Sequence, residues 1–479
     1  MRPQIIIRYV GFVLLLNGCF LLVSACISAW DNDSAMLPLF YSAMVAFLFG
    51  VFPLIFVPSF TSITTREGFL IVITSWILSC LVGLMPYLLW GGEFTLIDAW
   101  FESVSGFTTT GSSILTNVEA LPRGLLFWRS ATQWMGGTGI VIFVLSVLPS
   151  MGKAGMVLYR VEMSGVAADN FILSTRTALK IILKVYVGLT IMETVCLLLC
   201  GLDLYDAINH SFTTIATGGF STKNLSIAHY ESPLVEGVVM LFMLLSGINF
   251  ALLFAVASGS FGELWRSSIL RYYLVAIICG VCLTALNVYG SVYQTWTDAF
   301  RFSAFQVISL GTTTGFATAD SSVWPAFSQL LIIYFTIQGA CAGSTSGALK
   351  ADRVVIFWKA LIRRIMTIQH PRAVIAVRIN KTPLDEDFVD VSTLFISLYT
   401  GVLLLSTLIL AALGIDLLTA FSGAAATLGG AGPGFGTVGS LSNFNHLPLL
   451  AKMILSADML FGRLEIFGII IFFMPRSWK

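Results

Sequence analysis

Charge is what this sequence has least of. Asp, Glu, Lys and Arg make up 11% of its 479 residues, where a soluble domain carries about 25%. A surface so poor in charge cannot belong to a soluble globule. Histidine is rarer still: His210, His229, His370 and His446 stand far apart and form no metal-binding spacing. Neither HExxH nor GxSxG occurs, which leaves the commonest hydrolytic motifs without a foothold. Cysteines number eight and lie mostly inside apolar runs. The one CxxC pair, Cys279 and Cys282, sits in mid-run, short of the four ligands zinc wants and of the polar helix start a redox pair wants. It reads as two small packing residues.

What the chain has in abundance is apolar length. It is 57% hydrophobic with a mean hydropathy of +0.90. Nine runs are long enough for about 30 Å of hydrocarbon: 5–30, 36–56, 69–90, 125–148, 178–202, 234–258, 270–290, 391–413 and 449–474. A tenth begins at 325–337 and is interrupted by a glycine-rich segment. Val23-Ser24-Ala25-Cys26 has the form of a lipoprotein cleavage box, but the run around it reads as an uncleaved first helix.

The net charge of +1 hides a strong asymmetry. With Arg2 and Arg8 on the inside, ten crossings put Arg66, Lys153, Arg160, Arg176, Lys180, Lys184, Arg266, Arg271 and the basic stretch 350–381 there as well. The outside keeps only Arg123, Arg129, Lys223, Arg301 and Lys452, among acidic loops. The positive-inside rule then puts both termini in the cytoplasm. The basic stretch sets topology, touches anionic lipid or docks a cytoplasmic partner. No nucleic-acid partner is expected of a chain that lies mostly in the membrane.

One pattern recurs four times. Thr108-Thr109-Thr110-Gly111, Ile215-Ala216-Thr217-Gly218, Thr312-Thr313-Thr314-Gly315 and Gly429-Gly430-Ala431-Gly432 come at intervals of about one hundred residues. Each follows a short amphipathic segment starting near Asp98, Asp206, Asp298 or Asp416–Thr419, where Asp or Thr suits a helix N-cap. Ten or so helical residues rise only about 15 Å, so these are re-entrant half-helices that carry the Gly/Thr loops to membrane depth. Non-helical backbone there must line a water-filled cavity or be buried in protein. Four loops in one chain suggest four walls around one axis. Helix C-termini pointing at that axis favour a cation, and a ring of backbone carbonyls can replace the hydration shell of K⁺.

The expected fold is an all-α polytopic membrane protein with four pseudo-repeated helix–pore loop–helix units around one pore, plus two extra N-terminal transmembrane helices. The units are a two-helix extension at 1–60 and pore repeats at 61–165, 166–265, 266–385 and 386–479. In the third repeat, Gly339-Ala340-Cys341-Ala342-Gly343-Ser344-Thr345-Ser346-Gly347 predicts a broken helix on the cytoplasmic side of the ring. It lacks the GK[ST] ending and the preceding strand of a phosphate loop, and a flexible gate is the functional reading. Arg463, in the last span, either faces the pore as a barrier or pairs with Asp458 or Glu465. Glu102 is placed to add negative potential beneath the ring, and Glu193 reads as a hydrogen-bonded packing contact.

These residues resemble the Trk/Ktr/HKT superfamily of K⁺ transporters, most closely its bacterial TrkH/TrkG branch, over essentially the whole chain. The most specific pieces are Asp98 to Gly111, Gln133-Trp-Met-Gly-Gly-Thr-Gly139, Ser211 to Phe220, Gly247-Ile-Asn-Phe250, Ala342 to Gly347 and Gly462-Arg-Leu-Glu-Ile-Phe467. The two extra N-terminal spans favour the TrkH-like over the KtrB-like members. The resemblance implies K⁺ uptake across the bacterial inner (plasma) membrane, a homodimer with one pore per subunit, and a cytoplasmic ring of nucleotide-binding TrkA-type subunits. It implies Thr110, Gly111, Thr217, Gly218, Thr314, Gly315, Ala431 and Gly432 as the K⁺-binding filter. It implies Gly339, Gly343, Ser344, Thr345, Ser346, Gly347 and Arg463 as the gate. K⁺ is then the transported ion, and no bound organic cofactor is expected. The fourth loop lacks the Asn such proteins carry before Gly-Pro-Gly, so a side-chain brace is missing and selectivity is expected to be weakest there.

Two other functions are open to the residues. A Na⁺- or H⁺-coupled symporter, or a less selective K⁺/Na⁺ channel, would use the same loops. An intramembrane enzyme would need Ser344 or Ser346 with the distant His210.

Overall fold

The computed structural model describes residues 2–58, 65–147, 175–373, 375–380 and 382–464. The described residues are helical apart from turns, loops and one two-stranded antiparallel ribbon, Arg378–Ile379 with Thr382–Pro383. Helices α1 (Pro3–Trp30) and α2 (Met36–Phe56) form an antiparallel pair. They cross closely at glycine: a Cβ on Gly11 would stand 2.8 Å from the Gly50 carbonyl oxygen. Small residues at such a crossing let membrane helices pack backbone to backbone.

After this pair, one order of elements recurs four times: a long helix, a half-length helix, a loop, and a returning helix. The first set is α3 (Thr65–Trp90), α4 (Leu96–Phe107) and α5 (Arg123–Val147). The second is α6 (Thr175–Leu199), α7 (Leu204–Ile215), α8 (Pro233–Ser246) and α9 (Phe250–Ala257). After the short α10 (Gly262–Arg266), the third is α11 (Ser268–Val288), α12 (Trp296–Gly311), α13 (Ala326–Gln338) and α14 (Ala351–Gln369). The fourth is α15 (Glu386–Ala412), α16 (Leu417–Gly429) and α17 (Leu449–Arg463).

Six helices among the described residues are long and apolar enough to cross a bilayer: Pro3–Trp30, Met36–Phe56, Leu70–Trp90, Ile181–Leu199, Ser268–Val288 and Glu386–Ala412. The run 234–258 is long and apolar enough to span, but it is broken. There α8 and α9 meet at 107°, broken at Gly247-Ile248-Asn249. Asn249 caps α9 by accepting from the Ala251 and Leu252 amides. The last expected span is described only as far as Leu464.

The half-helices α4, α7, α12 and α16 have 12, 12, 16 and 13 residues. At about 1.5 Å per residue each falls short of the hydrocarbon thickness. In the first three the cap lies three residues before the Asp the sequence suggested. Thr95 and Thr295 are the N-caps, and Asp98 and Asp298 sit three residues inside. There each carboxylate accepts from the cap hydroxyl at 2.6 Å while its own amide donates back to that hydroxyl. This reciprocal arrangement satisfies free amides of the first turn and places an acid at the positive end of the helix dipole. Asp206 likewise lies three residues inside its helix, and in α16 Asp416 itself is the cap.

All five basic residues assigned to the outside are paired with acids. Arg123 meets Asp31, Arg129 meets Glu102, Lys223 meets Asp206, Arg301 meets Glu236 and Lys452 meets Asp98. Two of these pairs tie one set of helices to another. Lys452 Nζ lies 2.6 Å from Asp98 Oδ1, both buried, and joins α17 to α4. Arg301 grips Glu236 with two bonds of 2.7 Å and joins α12 to α8. Cys279 and Cys282 are exposed on α11 rather than packed.

Candidate functional site

The four half-helices end in one way. Thr109, Thr217, Thr313 and Gly430 take the left-handed conformation, with φ of 54°, 52°, 60° and 66°. The next amide then bonds back to the carbonyl five residues earlier: Thr110 to Ser105, Gly218 to Thr213, Thr314 to Ser309 and Ala431 to Ala426, at 2.8–2.9 Å. This is the double-bonded left-handed helix cap that glycine normally closes. Three of the four are threonine, a β-branched residue that resists positive φ, and such strain costs of order 1–3 kcal/mol each. Backbone strain of this kind clusters where a precise geometry is needed.

This bonding pattern corrects the register of the second loop. Gly218 holds the place of Thr110, Thr314 and Ala431, and the glycine matching Gly111, Gly315 and Gly432 is Gly219. All four have φ between 74° and 87°. Sequence alone could not choose between the adjacent glycines.

Those four glycines close a ring. A Cβ on Gly111 would meet the carbonyl oxygen of Gly218. On Gly219 it would meet that of Thr314, on Gly315 that of Ala431, and on Gly432 that of Thr110. Each loop presses its glycine against the carbonyl of the next, and the fourth returns to the first. The eight residues named from sequence therefore lie together, with Thr217 one step behind the ring. Four helix C-termini, the negative ends of their dipoles, point at this place.

The loops are held differently. In loops one and three, paired threonine hydroxyls stand 2.8 Å apart, Thr108 with Thr110 and Thr312 with Thr314. Loop two has Ala216 and Gly218 instead, and the amide of Gln133 on α5 fills the gap. Gln133 Nε2 donates to the Gly218 carbonyl at 2.8 Å and its Oε1 accepts from the Phe220 amide at 3.1 Å. Loop four has no threonine pair, but Ser422 of α16 accepts from the Phe435 amide at 2.8 Å and Ser112 of loop one donates to the Gly432 carbonyl at 2.8 Å.

Glu102 does not lend free negative charge to the ring. It is bonded to Arg129 at 2.8 Å with both side chains buried, and it also accepts from Ser113 and the Ile114 amide. Arg129 donates to the Ser221 carbonyl and lies 4.0 Å over the Phe220 ring. The pair ties the chain leaving loop one to the chain leaving loop two. Beyond the ring, Ser112, Ser113, Phe220, Ser221, Asn224, Pro433 and Asn443 are among the residues lining an open cavity of about 210 Å³.

On the opposite, half-helix side of the ring lies the small-residue segment between α13 and α14. α13 stops at Gln338 because Gly339 turns to φ 66°. The segment is fastened to the second, third and fourth sets of helices, and through Arg463 to the first. The Thr345 hydroxyl donates to the Ile215 carbonyl at the end of α7. The Gly347 amide donates to the Thr313 hydroxyl at 2.9 Å. The Cys341 and Phe250 amides bond across the α8–α9 break, to Gly247 and Gly343 carbonyls, and Asn249 donates to the Ala342 carbonyl. A Cβ on Gly347 would meet the Gly429 carbonyl. Arg463 donates through Nη1 to Thr345 and through Nη2 to Gly136, each at 3.0 Å. Asp458 accepts from Ser406 rather than from Arg463, and Glu465 lies outside the described residues.

The other sequence candidates resolve as follows. The Ser344 hydroxyl donates to the Cys341 carbonyl, the Ser346 hydroxyl bonds Thr313, and His210 bonds Ser221. These contacts pair neither Ser344 nor Ser346 with His210. Glu193 is fully buried with neither oxygen hydrogen-bonded, contrary to the packing contact expected of it. Sequence reasoning named no role for Gly219, Gln133, Ser112 or Asn249. Of these, Gly219, Gln133 and Asn249 lie within motifs the sequence singled out, and Ser112 does not.

Comparison with known proteins adds the family. The family model described as TrkH, cation transport protein, matches residues 40–479. The chain is 39% identical over 424 residues to the Trk system potassium uptake protein TrkH of Escherichia coli strain K12, covering 87% of this chain and 86% of that one. It is 35% identical to the TrkH of Vibrio parahaemolyticus over the full length of both. It is 34% identical to the Trk system potassium uptake protein TrkG of Escherichia coli strain K12, over 94% and 96% of the two chains. Among solved structures, the crystal structure of the potassium transporter TrkH from Vibrio parahaemolyticus matches all of both chains with a TM-score of 0.91 at 33% identity.

Proposed function

We propose a function from one premise: the chain belongs to the TrkH family of cation transport proteins. Its cargo is K⁺, taken up through the ring formed by the four loops. The observation that supports this reading is the closed succession Gly111–Gly218, Gly219–Thr314, Gly315–Ala431 and Gly432–Thr110, in which each loop's glycine packs against a backbone carbonyl of the next. Carbonyl oxygens held in place can exchange for the waters around K⁺, and the half-helix ends lower the energy of a cation there. Thr110, Gly111, Thr217, Gly218, Gly219, Thr314, Gly315, Ala431 and Gly432 are the filter.

The segment Gly339–Gly347 is the gate, locked by Arg463. Its contacts are hydrogen bonds to backbone and hydroxyl groups, which a small rearrangement could release together. The guanidinium adds a positive barrier on the same path. The working assembly is a homodimer in the bacterial inner membrane, with both termini cytoplasmic and a cytoplasmic TrkA-type ring that drives the gate. The basic, amphipathic α14 follows the gate directly and is the natural link to that ring.

Growth of a K⁺-uptake-deficient bacterium at low K⁺ tests the reading. Expression of this chain with a TrkA-type partner is expected to restore growth and Rb⁺ uptake, and the chain alone to restore less. No rescue from protein present in the membrane would sink it. A reversal potential that moved with pH or external Na⁺ at fixed K⁺ would turn the pore into a coupled symporter.

A further inference from the structure

We propose that Gln133 is a positioning residue that sets the ion selectivity of the second loop. The inference rests on the filter reading above and extends it to a side chain on the returning helix α5. Loops one and three each carry a threonine pair behind the ring, Thr108 with Thr110 and Thr312 with Thr314. Loop two has lost both members, to Ala216 and Gly218. The vacated space is occupied: a Cβ on Gly218 would run into Cδ and Oε1 of Gln133.

The orientation of the Gln133 amide is fixed by its partners. The Phe220 amide can only donate, so the atom facing it at 3.1 Å must be Oε1. Nε2 is then turned to the Gly218 carbonyl, at 2.8 Å. Among the described residues, no donor reaches the carbonyls of Thr110, Thr314 or Ala431. Gly218 thus supplies the one ring carbonyl shared with a protein donor. Gln133 is fully buried and bonds on both sides of Gly219. One amide therefore holds the Gly218 carbonyl and the Phe220 amide at a fixed separation, with the ring glycine between them. Without it, the flexible Gly218-Gly219 doublet can rotate its peptide out of the ring, and a ring that no longer holds its width no longer prefers the larger ion.

Gln133→Met keeps the length and bulk of the side chain and removes both hydrogen bonds. Selectivity is read as the ratio of Na⁺ to K⁺ concentrations that half-inhibit Rb⁺ uptake. This ratio is independent of how much protein reaches the membrane. Loss of one net hydrogen bond at the ring predicts a drop of about fivefold. An unchanged ratio would overturn the proposal. For a variant without measurable flux, the extra thermal stabilisation of the purified protein by K⁺ over Na⁺ serves instead. It is expected to shrink in Gln133→Met, and a wild-type difference would count against the role. Gly315→Ser, measured in parallel, separates the two levels. If Gly315→Ser lowers the ratio and Gln133→Met does not, the positioning role fails and the filter stands. If neither lowers it, the filter reading fails first.

Discussion

Nη1 of Arg463 stands 3.0 Å from the carbonyl oxygen of Thr345, and its Nη2 stands at the same distance from that of Gly136. One guanidinium thereby pins the small-residue segment to α5 across the chain's interior. Hydrogen bonds from a charged donor are worth about 1.5–3 kcal/mol each. Arg463→Gln removes the charge and the two-armed grip. It is expected to raise Rb⁺ uptake per molecule roughly tenfold by freeing the segment. Equal or lower uptake at equal abundance would mean that Arg463 does not lock the path.

The register of the second loop makes a sharper prediction. Gly219 has φ 74°, and a Cβ there would collide with the Thr314 carbonyl, which is backbone. At Gly218 the obstacle is the end of the Gln133 side chain, which can yield. Gly219→Ala is expected to abolish Rb⁺ uptake, and Gly218→Ala to keep a measurable part of it. The reverse order would return the ring position to Gly218.

Asp98 and Lys452 lie 354 residues apart in sequence and form a buried pair between the first and last sets of helices. Removing one partner strands the other charge at a cost of about 3–5 kcal/mol. Lys452→Met is expected to lower the thermal unfolding temperature in detergent markedly, and Lys452→Met with Asp98→Asn to recover most of the loss. Additive losses would show that the two side chains are not coupled.

How much of this was legible in sequence follows from how local each cause is. The half-helices and their loops could be read because apolar length, first-turn Asp and Thr-Gly runs are local features. The interruption after Gln338 was legible for the same reason. The break between α8 and α9 was not. Gly247 and Asn249 sit in an apolar run, and what they bond, Cys341 and Ala342, comes from a distant part of the chain. Glu102 and Lys452 looked like free charges because their partners are set by packing, not by spacing. The four loops could be counted from sequence, but their order around the ring rests on contacts between glycine α-carbons and carbonyls of other loops.

The central claim is that four backbone carbonyls, those of Thr110, Gly218, Thr314 and Ala431, hold the transported ion. Crystals of the protein grown in Rb⁺ test it most directly, through the anomalous scattering of the ion. The account predicts a Rb⁺ peak on the axis within coordinating distance of all four carbonyls, and its loss in Gly315→Ser. Well-occupied Rb⁺ sites elsewhere in the protein, with none at this ring, would contradict it.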